Sequence, residues 1–220
     1  MTEGIYVDSD VLLKMCVYAA AAELVQVASA NATEPAILLF AKFALRSRID
    51  RARNINDKAA ARKTLEVALS KVRQLEPTTE EIEKAAEFEE RATAAGLSFD
   101  VGESQLMSVM QSRHAVALLT GDKRAIKAIS VLFRDEMVER VACLEQVVAT
   151  IIAQFGLERF RDRVCSERGC DKAITASFSC SSSSLSSDEV LIGLRSYIKS
   201  LRNGTGNVLI SSDDLSAIVS

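Results

Sequence analysis

Twice in this chain a short apolar run stops on an aspartate and gives way at once to helical spacing, and that pairing constrains the fold more than any other feature. The first run is Gly4-Ile5-Tyr6-Val7. It ends on Asp8-Ser9-Asp10, after which Val11, Leu12, Met15 and Tyr18 recur as on one helical face. The second is Ala115-Val116-Ala117-Leu118-Leu119, whose length and composition suit a buried strand. It ends at Thr120-Gly121-Asp122 before Ile126, Ile129 and Leu132 resume the helical period. Strands alternating with helices imply an α/β fold with a mostly parallel sheet. Ligands of such sheets bind outside the carboxyl ends of the strands, where Asp8 and Asp122 both fall.

The remaining segments read mainly as helices. Pro35 opens a predicted helix from Ala36 to about Ile49, and another is expected from about Asp57 to Leu75. Thr78 and Glu81 have capping-box spacing at the head of an acidic helix that stops near Gly96. A further helix is expected from about Val138 to Phe155. Between residues 177 and 187, eight of eleven residues are serine, the composition of a flexible linker, and Ser186 with Glu189 starts a last helix that stops near Gly204. Val208-Leu209-Ile210 is a weak strand signal. The expected organisation is therefore a helix-rich α/β domain over 1–155, with a helical section at 35–95, and a C-terminal extension over 156–220 that contains the linker 177–187.

Charge and residue inventory narrow the chemistry. With 27 basic and 30 acidic residues the net charge is -3, so nucleic-acid binding requires a local patch. Residues 46–63 supply one: Arg46, Arg48, Arg51, Arg53, Lys58, Arg62 and Lys63 face only Asp50 and Asp57. Arg46, Arg48, Arg51 and Arg53 are the candidate phosphate contacts, joined by Lys14, Lys123 and Arg124 beside the strand-end acids. The alternative for those last three is salt bridging to the acids themselves. His114 is the sole histidine, which excludes a His-rich metal site, and it falls at the far end of the sheet from the carboxylates, where a structural role is expected. The five cysteines lack a CxxC and read as free thiols of a reducing, cytoplasmic compartment. Lys14 and Glu23 interrupt the apolar N-terminal stretch, and no segment has the length of uninterrupted apolar sequence that spans a bilayer.

Glu103 joins the two aspartates by a length argument. A helix from Glu103 to Ser112 runs about 15 Å and a strand from His114 to Thr120 about 20 Å. A turn at Arg113 makes them antiparallel and returns Glu103 to the sheet edge that holds Asp122. Asp10 and Asp100 fall nearby. Taken singly, each acid has a plainer explanation: Asp100 and Glu103 have capping-box spacing, and Asp8 and Asp122 suit strand-end turns. Taken together, carboxylates at one rim repel unless a cation neutralises them, and an all-oxygen set selects Mg²⁺ or Mn²⁺.

Three motifs resemble those of the PIN-domain nucleases: Tyr6-Val7-Asp8-Ser9-Asp10-Val11-Leu12, Gly102-Glu103 at the head of an apolar helix, and Leu118-Leu119-Thr120-Gly121-Asp122-Lys123-Arg124-Ala125. The resemblance covers about residues 4–133 and implies a parallel-sheet α/β/α sandwich. It further implies a metal-dependent endoribonuclease, with Asp8, Glu103 and Asp122 as catalytic metal ligands for Mg²⁺ or Mn²⁺ and Asp10, Asp100 and Thr120 in support. RNA or another single-stranded nucleic acid would be the substrate. A toxin role with an antitoxin-like protein partner goes with the family, and a homodimer is compatible with it. Asp10 stands where the family usually has asparagine, and the family's additional glutamate has no counterpart in 36–49. The alternative reading is a catalytically silent PIN-like module that binds RNA or a protein partner.

Overall fold

The computed structural model describes residues 4–30, 32–182 and 185–219. Its sheet has five parallel strands, β1 (Ile5–Val7), β2 (Ala36–Leu38), β3 (Arg73–Leu75), β4 (Ala117–Thr120) and β5 (Val141–Cys143), in the spatial order β3-β2-β1-β4-β5. Eleven helices are seen among the described residues. Those of the N-terminal half are α1 (Ser9–Val17), α2 (Ala21–Val27), α3 (Ala41–Arg51), α4 (Lys58–Leu69) and α5 (Thr79–Ala94). The others are α6 (Val101–Ser112), α7 (Lys123–Leu132), α8 (Leu144–Phe155), α9 (Glu158–Ser166), α10 (Lys172–Ser177) and α11 (Ser187–Thr205).

The strands divide two hydrophobic cores by their twofold alternation. Ile5 and Val7 of β1, Ile37 of β2, Leu119 of β4 and Ala142 of β5 enter the core built with α1 to α4 and α8. Tyr6, Ala36, Leu38, Leu118, Val141 and Cys143 point the other way, into the core formed with α5, α6 and α7. Both faces of the sheet are covered at β1, β2, β4 and β5, whose residues are apolar and buried except for the buried Thr120, while the edge strand β3 carries Arg73 and Gln74. From β1 the chain builds outward through β2 to β3, then returns to β4 on the other side of β1. That reversal opens a crevice at the carboxyl ends of β1 and β4, where the register pairs Val7 with Leu119.

Three helices expected from the sequence give up strand segments. Ala36–Leu38 is β2 and the helix starts only at Ala41; the helix expected to reach Leu75 ends at Leu69 and Arg73–Leu75 becomes β3; and Val141–Cys143 is β5, with the helix following at Leu144. Each strand is three residues long, too short to show its own period. The pairing of β2 with β1, of β3 with β2 and of β5 with β4 outweighs the helical tendency of the flanking sequence.

Residues after 156 pack into the same cores. Phe160, Val164, Ile174, Phe178, Val190 and Leu194 are buried in the core that holds β1 and α1, and Ile198 enters the other. The buried Glu167 accepts the backbone N–H groups of Asn56 and Asp57 at 2.8 Å, which fixes the entry to α4. Ile210 N donates to Val141 O (2.8 Å), so the weak strand signal at 208–210 becomes a single bridge along the outer edge of β5. Of the serine run expected as a linker, Ser177 ends α10 and is buried, Ser187 begins α11, and Ser183 and Ser184 lie outside the described residues. The reading of all cysteines as free thiols needs correction: Cys165 and Cys180 form a disulfide, while Cys16, Cys143 and Cys170 are free. Spacing alone cannot reveal that pairing, since it depends on α9 and α10 folding back beside one another. Among the described residues no helix is long and apolar enough to cross a membrane.

Candidate functional site

The carboxylates gather at the crevice because each one begins a helix. Asp8 is the N-cap of α1, Asp100 of α6 and Asp122 of α7, and Asp100 with Glu103 forms a complete capping box. Parallel strands deliver the N-termini of α1 and α7 to one sheet edge, and the antiparallel α6 brings its own start back to it. The partial positive ends of three helices thereby support several negative charges in one place. The capping role and the rim placement coexist.

Thr120 joins the two aspartates. Its hydroxyl, 2% exposed, donates to Asp8 Oδ2 at 3.1 Å and accepts the backbone N–H of Asp122 at 3.2 Å. Asp8 Oδ1 also accepts from Ser9 Oγ and from the N–H of Asp10. Burial, and then the neighbouring Asp10, nevertheless hold the Asp8 carboxyl above its ordinary acidity range. Glu103 is pushed up to about 8, first by burial and then by Asp100, Asp122 and Asp8, although its Oε2 accepts the Asp100 N–H at 2.9 Å. Asp122 goes the other way. Burial alone would raise it, but Arg124 outweighs burial through Nη2 at 2.7 Å from Oδ2 and its backbone N–H at 2.7 Å from Oδ1. Asp8, Glu103 and Thr120 line a cleft of about 10 Å³, the room of one water molecule, closed on its apolar side by Phe99, Leu106, Leu118 and Ile129.

Asp10 stands one step outside this group. Its carboxylate is clamped by Lys14 (2.7 Å) and Arg48 (3.1 Å), and a Cβ at Gly121 would come within 2.8 Å of its Oδ2, so only glycine fits there without displacing it. Lys14 also reaches Asp171 at 2.9 Å. Burial would lower the Lys14 pKa, yet the two carboxylates around it raise it, and Lys14 in turn holds Asp171 low against its own burial.

The structure therefore brings together Asp8, Asp10, Asp100, Glu103, Thr120 and Asp122. The basic candidates divide. Lys14, Arg48 and Arg124 pair with rim acids, whereas Arg46 pairs with Glu66 at 2.7 Å and Lys123 with the buried Glu145 at 3.1 Å, acids outside that group. Arg51 and Arg53 have no carboxylate partner among the described residues. His114 lies exposed in the left-handed turn (φ 55°) between α6 and β4, opposite the site. Two participants escaped the sequence reading. Asp171 is 157 residues from Lys14 and gave no signal. Phe40 follows β2 and lines a hollow together with Asp8 and Ser9; recognition of β2 as a strand would have exposed it as another strand-end residue.

Among the described residues no group of three or more acidic, histidine or cysteine side chains is arranged to hold a metal ion as it stands. The donor chemistry still fits a hard cation: the oxygens belong to carboxylates, and the carboxyls of Asp8 and Glu103 are raised first by burial and then by the neighbouring acids. Closure around an ion would require Asp122 to exchange Arg124. Comparison with models of known protein families, with characterised proteins and with solved structures finds no match to this chain.

Proposed function

We propose that the chain is a PIN-like, metal-dependent endoribonuclease that hydrolyses RNA phosphodiester bonds at the rim formed by Asp8, Glu103 and Asp122. The observation that carries this reading is the meeting of Asp8 and Glu103 at a cleft of one-water size at the sheet's switch point, with Asp122 close enough to act on Glu103 and with Asp8 and Glu103 both raised in pKa. A protein that needed these acids only as helix caps would have no reason to desolvate them side by side. Asp8, Glu103 and Asp122 would hold Mg²⁺ or Mn²⁺, which when bound offsets their repulsion and lowers the pKa of an attacking water. Thr120 fixes the Asp8 carboxylate, Asp100 holds Glu103 through its capping N–H, and Asp10 keeps Lys14 and Arg48 at the edge. Arg124, 74% exposed, can leave Asp122 for a substrate phosphate oxygen. In the reaction the water gives up a proton as its oxygen bonds to phosphorus, the P–O ester bond breaks, and the leaving oxygen takes up a proton.

Asp122→Asn tests the reading directly. It retains an N-cap and removes a ligand charge, so metal-dependent RNA cleavage should fall at least a hundredfold while the far-UV spectrum and melting profile persist. Unchanged cleavage would end the proposal. A second reading, a catalytically silent binding module, is favoured by the ion pairs that already occupy Asp10 and Asp122. It demands that Mn²⁺ produce no stabilisation of the protein.

A further inference from the structure

The nuclease reading leaves open how a strand would approach the rim, and α3 supplies a path. Phe40, at the N-cap of this helix, is 43% exposed and Phe43 is 63% exposed, in a chain with no tryptophan and few aromatics at its surface. Phe40 shares a hollow with Asp8 and Ser9, and its Cζ is 3.8 Å from where a Cβ at Gly102 would stand, beside Glu103. The Lys42 ammonium lies 5.0 Å from the centroid of the Phe43 ring and covers one face of it. Two turns further along, Arg48 touches Asp10, and Arg51 follows at helical spacing on the same side. Arg48, Arg51 and Asn54 rim a cleft beside Asp10, about 370 Å³ with an apolar floor of Leu13, Val17 and Ile55. That volume suits one nucleotide-sized group, and its edge suits an anion.

We infer that α3 is a single-strand track: an unpaired base stacks on Phe40 or Phe43, the backbone crosses the acidic rim, and the next nucleotide enters the cleft with its phosphate on Arg51 and Arg48. Location of the scissile bond in this scheme rests on the nuclease reading; the binding itself does not. The occupant is single-stranded because a base in a duplex keeps both faces stacked on its neighbours and has none to offer an aromatic ring. The combination of exposed aromatic faces with adjacent cations is what a flexible phosphodiester strand requires, and the guanidinium of Arg51, which has no carboxylate partner among the described residues, supplies a phosphate contact.

Fluorescence anisotropy in EDTA, with a short labelled oligouridylate, the matching oligodeoxynucleotide and a duplex of the same length, tests the track without cleavage. The full chain should prefer either single strand to the duplex. Phe40→Ala and Phe43→Ala should together weaken single-strand binding about 5- to 150-fold, and Phe43→Trp should restore it. Arg51→Ala should reduce the salt dependence by about one phosphate contact. Both phenylalanines are exposed, so melting curves of the variants should match the parent. Equal affinity for duplex, alanine variants that bind like the parent, or an unchanged salt slope in Arg51→Ala would each overturn the track. Normal binding with no cleavage under any metal would sink the hydrolase and spare the track; cleavage of single strands with unaltered binding in the alanine variants would do the reverse.

Discussion

Replacement of Glu103 by glutamine isolates the energetic strain of the acidic rim. The carboxyl of Glu103 titrates at about 8 against an ordinary 4.5, because burial and the charges of Asp100, Asp122 and Asp8 disfavour its ionised form. The folded chain therefore holds this proton more tightly than the unfolded chain does. Between pH 4.5 and 8 the native state binds more protons, so the free energy of unfolding falls as pH rises through that window and levels off above it. At about 1.4 kcal/mol per pKa unit the bound on this loss is about 5 kcal/mol. Solvent reaches part of the rim and screens the charges, which reduces the expected effect to about 1–2 kcal/mol. Glutamine keeps an oxygen to accept the Asp100 N–H and removes the charge. At pH 9 Glu103→Gln should melt about 3–6 °C above the parent, and at pH 5 the two should coincide within about 1 °C. Mn²⁺ should recover the lost stability in the parent at pH 9 and leave the variant unmoved. Thermal melts at pH 5, 7 and 9, with and without Mn²⁺, provide the readout. A variant that is less stable at pH 9, or that differs equally from the parent at every pH, would refute the account of the rim as a repulsive cluster.

Other perturbations probe the same site and the scaffold that carries it. Thr120→Val keeps the shape but leaves Asp8 Oδ2 and the Asp122 N–H without their shared partner, a loss of about 1–3 kcal/mol measurable by urea unfolding. Arg113→Met strands the buried Glu81, which Arg113 grips through two nitrogens at 2.7 and 2.8 Å, and should cost about 3–5 kcal/mol at pH 7. Since Arg113 holds the Glu81 carboxyl below its usual range, that penalty should fade as pH drops through 4.5, and Glu81→Gln in the same chain should recover much of it at pH 7. Gly121→Ala forces the clamped Asp10 carboxylate aside; a loss of about 1 kcal/mol is expected in the melt, together with weaker Mn²⁺ stabilisation.

Wherever structure is written in consecutive residues, it was legible. The acid at the end of each long apolar run, the capping boxes at Thr78, Asp100 and Ser186, and the return of Glu103 to the Asp122 edge follow from local spacing, element length and helix N-terminal chemistry. The parallel α/β class follows as well, because β1 and β4 are too apolar to face water on either side. Local rules end there. The three-residue strands β2, β3 and β5 have no period of their own and exist only because a neighbouring strand offers its hydrogen bonds.

The sequence by itself thus determined which residues could cap helices and turn the chain, since those properties depend on neighbours within a few positions. Tertiary structure decided the pairings between distant segments. It set Lys14 between Asp10 and Asp171, paired Cys165 with Cys180, buried Phe160 and Phe178 beside α1, and brought Phe40 to the rim. These contacts form between segments far apart in the chain, and their energies become favourable only once the sheet and its two cores have fixed the distances.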